Sequence, residues 1–210
     1  MALLSVAPTK SNLLALRRQL EFAQEGYDLL EQKRQVLVLE LLRRLERARA
    51  AEREAHEALR AAFAALREAA LDSGAPALDR AALAVRPDHA VELSQERLLG
   101  LRLPRVAVRL PPPGPRFGFG ATSANADAAR QGFVAALPLL GALAERETSV
   151  RRLAHELRRT QRRCNALAKV VIPNCRETIR YIGASLEERE RESFVILKMI
   201  RDRLAGAAEA

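Results

Sequence analysis

A heptad repeat of apolar residues in the first third of the chain most constrains what this sequence can fold into. From Leu13 to Ala69, alternating steps of three and four reach apolar residues at fifteen of seventeen positions. Such a seam predicts a long coiled-coil helix and not the short stripe of a globular surface helix. The positions are Leu13, Leu16, Leu20, Ala23, Tyr27, Leu30, Arg34, Leu37, Leu41, Arg44, Ala48, Ala51, Ala55, Ala58, Ala62, Ala65 and Ala69.

The first helix is predicted to span residues 11–71. Thr9 or Ser11 can cap its start, and Asp72-Ser73-Gly74-Ala75-Pro76 stops it. The seam is rich in Leu in its first half and consists of Ala alone in its second half, so a partner helix can approach more closely there. A second apolar stripe on the Ala half can meet the insert or another protein of a complex, and it consists of Leu59, Phe63 and Leu66.

A second long helix is predicted over residues 123–204, starting near Ser123 or Asn125, and residues 205–210 form a frayed tail. Pro173 removes one helical hydrogen bond and should kink or locally unwind this helix. A second weak point is marked by Pro138 and Gly141. The seam of this helix is Val150, Leu153, Leu157, Thr160, Cys164, Leu167 and Val171, then Ile179, Ile182, Leu186, Arg189, Ser193, Ile196 and Ile200.

The two helices are expected to pair antiparallel. If Leu13 lies opposite Leu204, the numbers of paired residues sum to about 217 at equal rise per residue. Residues 125–145 then project past the first helix or bend back beside it. This register is a hypothesis that the pattern alone does not fix.

Residues 72–122 between the helices change character. Three runs with β-branched or alternating apolar residues predict short strands or a β-hairpin, and a Pro-rich stretch interrupts them. The runs begin at Ala90, Leu99 and Arg116. The sequence therefore predicts an all-α dominated fold, a long antiparallel two-helix coiled coil with a small central insert that contains strands.

Catalytic signals are absent from the sequence. It has no glycine-rich phosphate loop ending in Gly-Lys-Ser or Gly-Lys-Thr, and its three histidines are scattered. Cys164 and Cys175 lie eleven residues apart, too far along one helix for a disulfide. No run of eighteen apolar residues exists, so no direct membrane insertion is expected. We predict no catalytic residue, no cofactor site and no metal site.

The strongest charge feature is a cluster of arginines in the second helix. Between Arg146 and Lys169 there are eight basic and two acidic residues, a net charge of +6. The cluster either pairs with acids of the neighbouring helix, for which the proposed register offers Glu52, Glu54 and Glu57, or faces an acidic partner. The candidate partner-contact residues are Arg158, Arg159, Gln161, Arg162 and Arg163.

Segments at both ends of the chain resemble the D subunits of the V-type (vacuolar and archaeal) ATPases and ATP synthases. A looser likeness extends into the insert at 99–104 (LGLRLP) and 120–124 (GATSA). The specific segments are 8–14 (PTKSNLL) with 16–18 (LRR), 23–30 (AQEGYDLL) with 33–34 (KR), 159–167 (RTQRRCNAL), 171–173 (VIP), 177–182 (ETIRYI) and 187–192 (EERERE) with Phe194 and Lys198.

The resemblance implies a central rotor shaft without catalytic activity of its own. The coiled coil of such a shaft inserts, termini first, into a hexamer of catalytic and nucleotide-binding subunits. The lower part binds the small F subunit of the rotor and seats on a funnel-shaped protein above the ion-conducting membrane ring. The expected location is the cytoplasmic face of a membrane, as a peripheral part of the complex.

Two other classes remain open from the residue pattern alone. A prefoldin-like chaperone also combines two helical arms with strands, although it is usually shorter. A basic coiled coil that binds nucleic acid fits the formal charge of +9, but no aromatic residues alternate with the arginines for base stacking, so no nucleic acid is expected as a partner.

Overall fold

The protein is described by a computed structural model that covers residues 6–85, 88–110, 112, 114, 116–118 and 122–208. Its elements in chain order are α1 (Lys10–Ser73), α2 (Ala75–Ala84), β1 (Ala90–Leu98), β2 (Leu101–Arg109), α3 (Ala124–Ala166), a π-helical turn (Leu167–Val171) and α4 (Ile172–Ala208). The predicted fold class, with a long helix at each end and a small strand insert between them, is confirmed. No described helix is long and apolar enough to cross a membrane.

Two compact units make up the chain. Unit 1 contains residues 1–36 and 158–210, and unit 2 contains residues 37–157. The predicted division into residues 11–71, 72–122, 123–204 and 205–210 follows the secondary structure instead. The helix bounds lie close to that division, except that α4 continues to Ala208, and the insert also holds the unpredicted helix α2.

Helix α1 has a capping residue at its start and a helix-ending glycine at its end. The Thr9 hydroxyl oxygen accepts a hydrogen bond from the Asn12 backbone N–H at 3.3 Å, which caps the N-terminus. At the other end Gly74 has a φ of 76°, a left-handed conformation that favours glycine. Every buried apolar residue described on α1 belongs to the predicted seam, namely Leu16, Ala23, Leu37, Ala48, Ala51, Ala55, Ala62 and Ala69.

In unit 2 the Ala half of the α1 seam packs against small residues of α3. A Cβ placed on Gly132 would lie 3.1 Å from the Ala62 Cβ, so the two helices approach closely, as the Ala seam predicts. The ring of Phe63 meets that of Phe133 edge to face, with a centroid distance of 5.0 Å. The buried residues that α3 contributes at its start are Ala126, Ala129 and Ala136.

These contacts show that the sequence-based register was wrong. The Asn125 amide nitrogen donates to the Asp72 carboxylate at 2.7 Å, and Arg146 donates to the Arg47 carbonyl at 3.3 Å. In unit 1 the Lys10 ammonium pairs with the Glu190 carboxylate at 2.8 Å. Paired numbers therefore sum to 193–200 instead of 217. Heptad positions alone fit several registers, and the small residues of α3 select this one.

The observed register also changes which part of the second long helix extends beyond α1. Residues 125–145 neither project nor bend back, because they pack along the second half of α1. The part of α4 that follows Glu190 extends past the start of α1 instead. Ile196 and Ile200, predicted to lie in the seam, are consequently exposed.

The irregularity predicted at Pro173 is present as the π-helical turn over Leu167–Val171, directly before α4. A π turn holds one extra residue, and this relieves the clash that proline creates in an α-helix. It also shifts the seam, since Thr178 is buried and Ile179 is only half-buried. Pro138, in contrast, lies inside α3 without ending it.

Strands β1 and β2 form an antiparallel hairpin in which Leu98 pairs with Leu101. The connecting residues Leu99 and Gly100 both have positive φ, at 51° and 82°, which is the geometry of a type I′ turn. Two of the three predicted strand runs therefore form the hairpin. In the third run, residues 116–118 are not in a strand, and residues 119–120 lie outside the described residues.

The hairpin is fixed to α3 through β2. The backbone N–H of Val106 donates to the Glu145 carboxylate at 2.8 Å, and the Arg152 guanidinium donates to the Arg102 carbonyl. A Cβ placed on Gly141 would lie 2.6 Å from the Val108 Cγ2 atom. Gly141 is therefore a contact point for the hairpin, where the sequence suggested a weak point in the helix.

We predict that Gly141→Ala destabilises unit 2. The new methyl group overlaps the stiff, β-branched Val108, which should cost about 1–3 kcal/mol of unfolding free energy. Gly26→Ala is the matched control, because a Cβ there meets nothing within 4 Å. The control should raise stability by roughly 0.5–1 kcal/mol. Urea unfolding followed by circular dichroism measures both, and equal stability of the two variants would contradict the close contact.

Thiol crosslinking tests the register. With Cys164 and Cys175 replaced by alanine, Lys10→Cys combined with Glu190→Cys should join efficiently through a short bifunctional reagent. The pair Leu20→Cys and Leu197→Cys, which the 217 register places together, should not join. Peptide mass spectrometry identifies the products, and the reverse result would restore the sequence-based register.

Candidate partner-binding surfaces

The predicted arginine cluster lies on the exposed side of α3 in unit 1. Leu153, Thr160 and Cys164 of the same helix are buried and face the seam. Each of the four arginines lies one or two residues from Thr160 or Cys164, which turns it about 100° or 200° away from that buried residue. The exposed members are Arg158, Arg159, Arg162 and Arg163.

No ion pair or hydrogen bond to the guanidinium groups of these four arginines occurs within the described part of the chain. Gln161 is half-buried and donates to the Asn165 side-chain oxygen at 3.0 Å. The arginines stand three or four residues apart, so their charges repel one another along the helix. An acidic partner would relieve that repulsion.

Glu52, Glu54 and Glu57, the acids suggested as internal partners of the cluster, belong to unit 2, whereas Arg158, Arg159, Arg162 and Arg163 belong to unit 1. None of the described ion pairs involves these three acids. On helix α1, the charges of Glu31 and Arg34 act on the Cys164 thiol of this part of α3. Glu31 is itself bonded by Arg34, and this bond lowers the pKa of Glu31.

The two cysteines are free, buried and of low reactivity. Burial raises the pKa of the Cys164 thiol, and the Glu31 charge raises it further. Burial alone raises the pKa of Cys175. Both thiols therefore stay protonated at neutral pH, and the protonated form is a poor nucleophile and metal ligand. Among the described residues, no group of three or more His, Cys, Asp or Glu side chains could hold a metal ion.

A second surface lies on α4, beyond the pairing with α1. Phe194 is 72% exposed and Leu197 is 64% exposed. Successive helical residues point 100° apart, so the apolar residues of this stretch surround the helix on nearly all sides. We call it the apolar collar, and it consists of Phe194, Val195, Ile196, Leu197, Met199 and Ile200.

The sequence revealed only part of this collar. Ile196 and Ile200 stood out as seam positions, and Phe194 as part of the family likeness. The run of four apolar residues from 194 to 197 gave only a weak signal, because a similar run occurs at 36–39 in the paired part of helix α1.

Comparison with known proteins identifies relatives along nearly the whole chain. The D subunit of the V-type ATP synthase of Thermotoga neapolitana is 36% identical over 202 residues, which cover 96% of this chain and all of the relative. The D 2 subunit of the V-type ATP synthase of Treponema pallidum is 42% identical over 200 residues, covering 94% of this chain and 95% of the relative. The D subunit of the A-type ATP synthase of Pyrococcus furiosus is 35% identical over 202 residues, covering 95% and 94%.

The prefoldin-like and nucleic-acid-binding classes gain no support from these relatives. The family model that describes the D subunits of ATP synthases matches residues 12–202. The match includes both long helices and the hairpin between them. The chain therefore belongs to the ATP synthase D-subunit family and is a component of a V/A-type ATPase.

Proposed function

We propose that this chain is the central rotor axle of its ATPase and transmits torque between the catalytic hexamer and the ion-conducting membrane ring. The apolar collar is the observation that carries the proposal. A helix whose apolar residues surround it on nearly all sides, as they do here apart from Lys198, is normally buried. A flat partner surface covers one side of a helix, whereas a ring-shaped partner covers every side.

The dimensions of α4 suit insertion into such a ring. Residues 191–208 follow the Glu190 pairing, and at about 1.5 Å per residue they extend roughly 27 Å. This length allows the collar to enter a protein bore while α1 and α4 remain paired behind it. An axle end with an apolar surface also turns without breaking a fixed set of directional hydrogen bonds.

The arginine cluster supplies the charged contact of the proposal. Arg158, Arg159, Arg162 and Arg163 are exposed and leave their guanidinium groups available to acidic side chains. The partners we propose are the catalytic and nucleotide-binding subunits of the hexamer, the small F subunit of the rotor, and the funnel-shaped protein that joins the axle to the membrane ring. ATP chemistry then belongs to the hexamer, and this chain is a non-catalytic part of a complex on the cytoplasmic face of the membrane.

Assembly with the hexamer tests the role of the collar. Phe194→Glu combined with Leu197→Glu should reduce recovery of this chain with the hexamer at least tenfold, since each buried apolar side chain contributes about 1.5–3 kcal/mol. Glu187→Gln with Glu188→Gln on the same exposed helix is the control. Because all four side chains are exposed, the isolated variants should keep the unfolding free energy of the parent. Equal recovery of both variants would contradict insertion of the collar.

Charge reversal tests the arginine cluster. Changing Arg158, Arg159, Arg162 and Arg163 together to glutamate should weaken assembly or ATP-driven ion pumping, because like charges would then face an acidic partner. The control reverses four exposed arginines of α1 in unit 2, namely Arg43, Arg49, Arg53 and Arg60. Normally coupled pumping by the cluster variant, measured in reconstituted vesicles, would contradict a contact through the cluster.

A further inference from the structure

We propose that the outer edge of β1 binds an extended segment of a partner protein as a third strand of the hairpin sheet. This inference rests on the proposed function to the extent that the partner is sought within the ATPase complex. It concerns a surface that neither the apolar collar nor the arginine cluster includes.

The register of the hairpin determines which backbone groups face outward. In a two-residue hairpin the pair next to the turn, Leu98 and Leu101, is hydrogen-bonded, and the pairs alternate from there. Leu93 and Val106 therefore form a pair without mutual hydrogen bonds. The Val106 N–H bears this out, since it points away from β1 to the Glu145 carboxylate. The outward-facing residues of β1 are Val91, Leu93, Gln95 and Arg97.

One edge of the two-stranded sheet is covered by helix α3, and the other has no described hydrogen-bond partner. Helix α3 occupies the β2 edge, where Glu145 accepts from the Val106 N–H and Arg152 donates to the Arg102 carbonyl. Pro104, which lacks an N–H, occupies the outward position between them. No hydrogen bond to the outward backbone groups of β1 occurs within the described residues.

The β1 edge lacks several of the features that usually protect an exposed edge, although Glu92, Glu96 and Arg97 are charged. Its nine residues contain no proline and no lysine, and the pairing with β2 has no bulge. Instead, Leu93 is 76% exposed and Val91 is 56% exposed. Leu93 and Val91 lie on the same face of the sheet as their cross-strand partners Val106 and Val108, and Val108 packs against Gly141. An extended peptide that adds a strand to a sheet binds an edge of this kind, with unpaired backbone groups beside exposed apolar side chains.

The side chains of β1 define the chemistry of the bound segment. On one face a third strand would lie beside Val91 and Leu93, which favours apolar residues. On the other face it would lie beside Ser94, Glu92 and Glu96, and the two carboxylates form ion pairs with Arg109 and Arg105 of β2, so this face favours polar residues. Residues alternate between the two faces of a strand. The occupant is therefore an extended segment that alternates apolar with polar residues.

Hydrogen exchange at single amides tests this edge. In the isolated chain, the amides of Leu93 and Gln95 should exchange rapidly, while Ser94 and Glu96, bonded to β2, exchange slowly. In the chain assembled with the ATPase hexamer and the F subunit, exchange at Leu93 and Gln95 should slow at least a hundredfold. Rapid exchange there in an intact complex would overturn strand addition and leave the axle proposal standing. Failure of the chain to assemble at all would overturn both.

A proline substitution separates strand addition from contact through side chains. Gln95→Pro removes one outward N–H and no bond to β2, because Gln95 pairs with Pro104 at a position without mutual hydrogen bonds. In the assembled complex it should return Leu93 to rapid exchange and leave Ser94 slow, whereas Gln95→Ala should keep Leu93 slow. Persistent slow exchange of Leu93 in the proline variant would overturn the proposal. Slow exchange in the isolated chain that strengthens with concentration would also overturn it, since a second copy would then occupy the edge.

Discussion

The close contact of Gly132 with Ala62 sets the register on which unit 2 depends. Small residues on both helices allow α1 and α3 to approach, and this approach brings Asn125 to Asp72 and Arg146 to Arg47. Once α3 is placed, Gly141, Glu145 and Arg152 lie where they receive the hairpin. A larger residue at Gly132 would disturb the helix pair and, through it, the position of the strands.

Much of this fold can be predicted from the sequence, because its strongest signals are local. The seam predicts every buried apolar residue described on α1, Gly74 ends the helix, and Pro173 lies beside an irregular turn. The register could not be predicted in this way, since antiparallel heptads fit one another at many offsets. The sequence feature that could have indicated the register is the series of small residues Ala126, Ala129, Gly132 and Ala136, whose spacing and size match the Ala half of α1.

The candidate sites also differ in how far the sequence alone predicts them. Exposure of the arginine cluster follows from its helical positions relative to Thr160 and Cys164, and the sequence is sufficient for that. The collar and the β1 edge depend on which residues lack a neighbour, and this is decided by the register and by the docking of β2 on α3. Leu93 is apolar in sequence and in a strand, yet only the structure shows that the outer strand of the hairpin is uncovered.

In the proposed axle, three surfaces have separate tasks. The apolar collar permits rotation within a bore, the arginine cluster gives directional charged contacts, and the hairpin edge attaches a partner through backbone hydrogen bonds. None of these tasks requires an ionisable group with an unusual pKa, and the buried thiols of Cys164 and Cys175 stay protonated. The chain then acts through its rigidity and through the placement of its exposed side chains.

Rotation of this chain during ATP hydrolysis tests the central claim most directly. The hexamer is fixed to a surface through its catalytic subunits, and a bead is attached to a cysteine introduced at Glu68, an exposed residue of α1 in unit 2. The account predicts continuous rotation of the bead in one direction, at a speed that rises with the rate of hydrolysis. Steady hydrolysis by the intact complex with a stationary bead would contradict it.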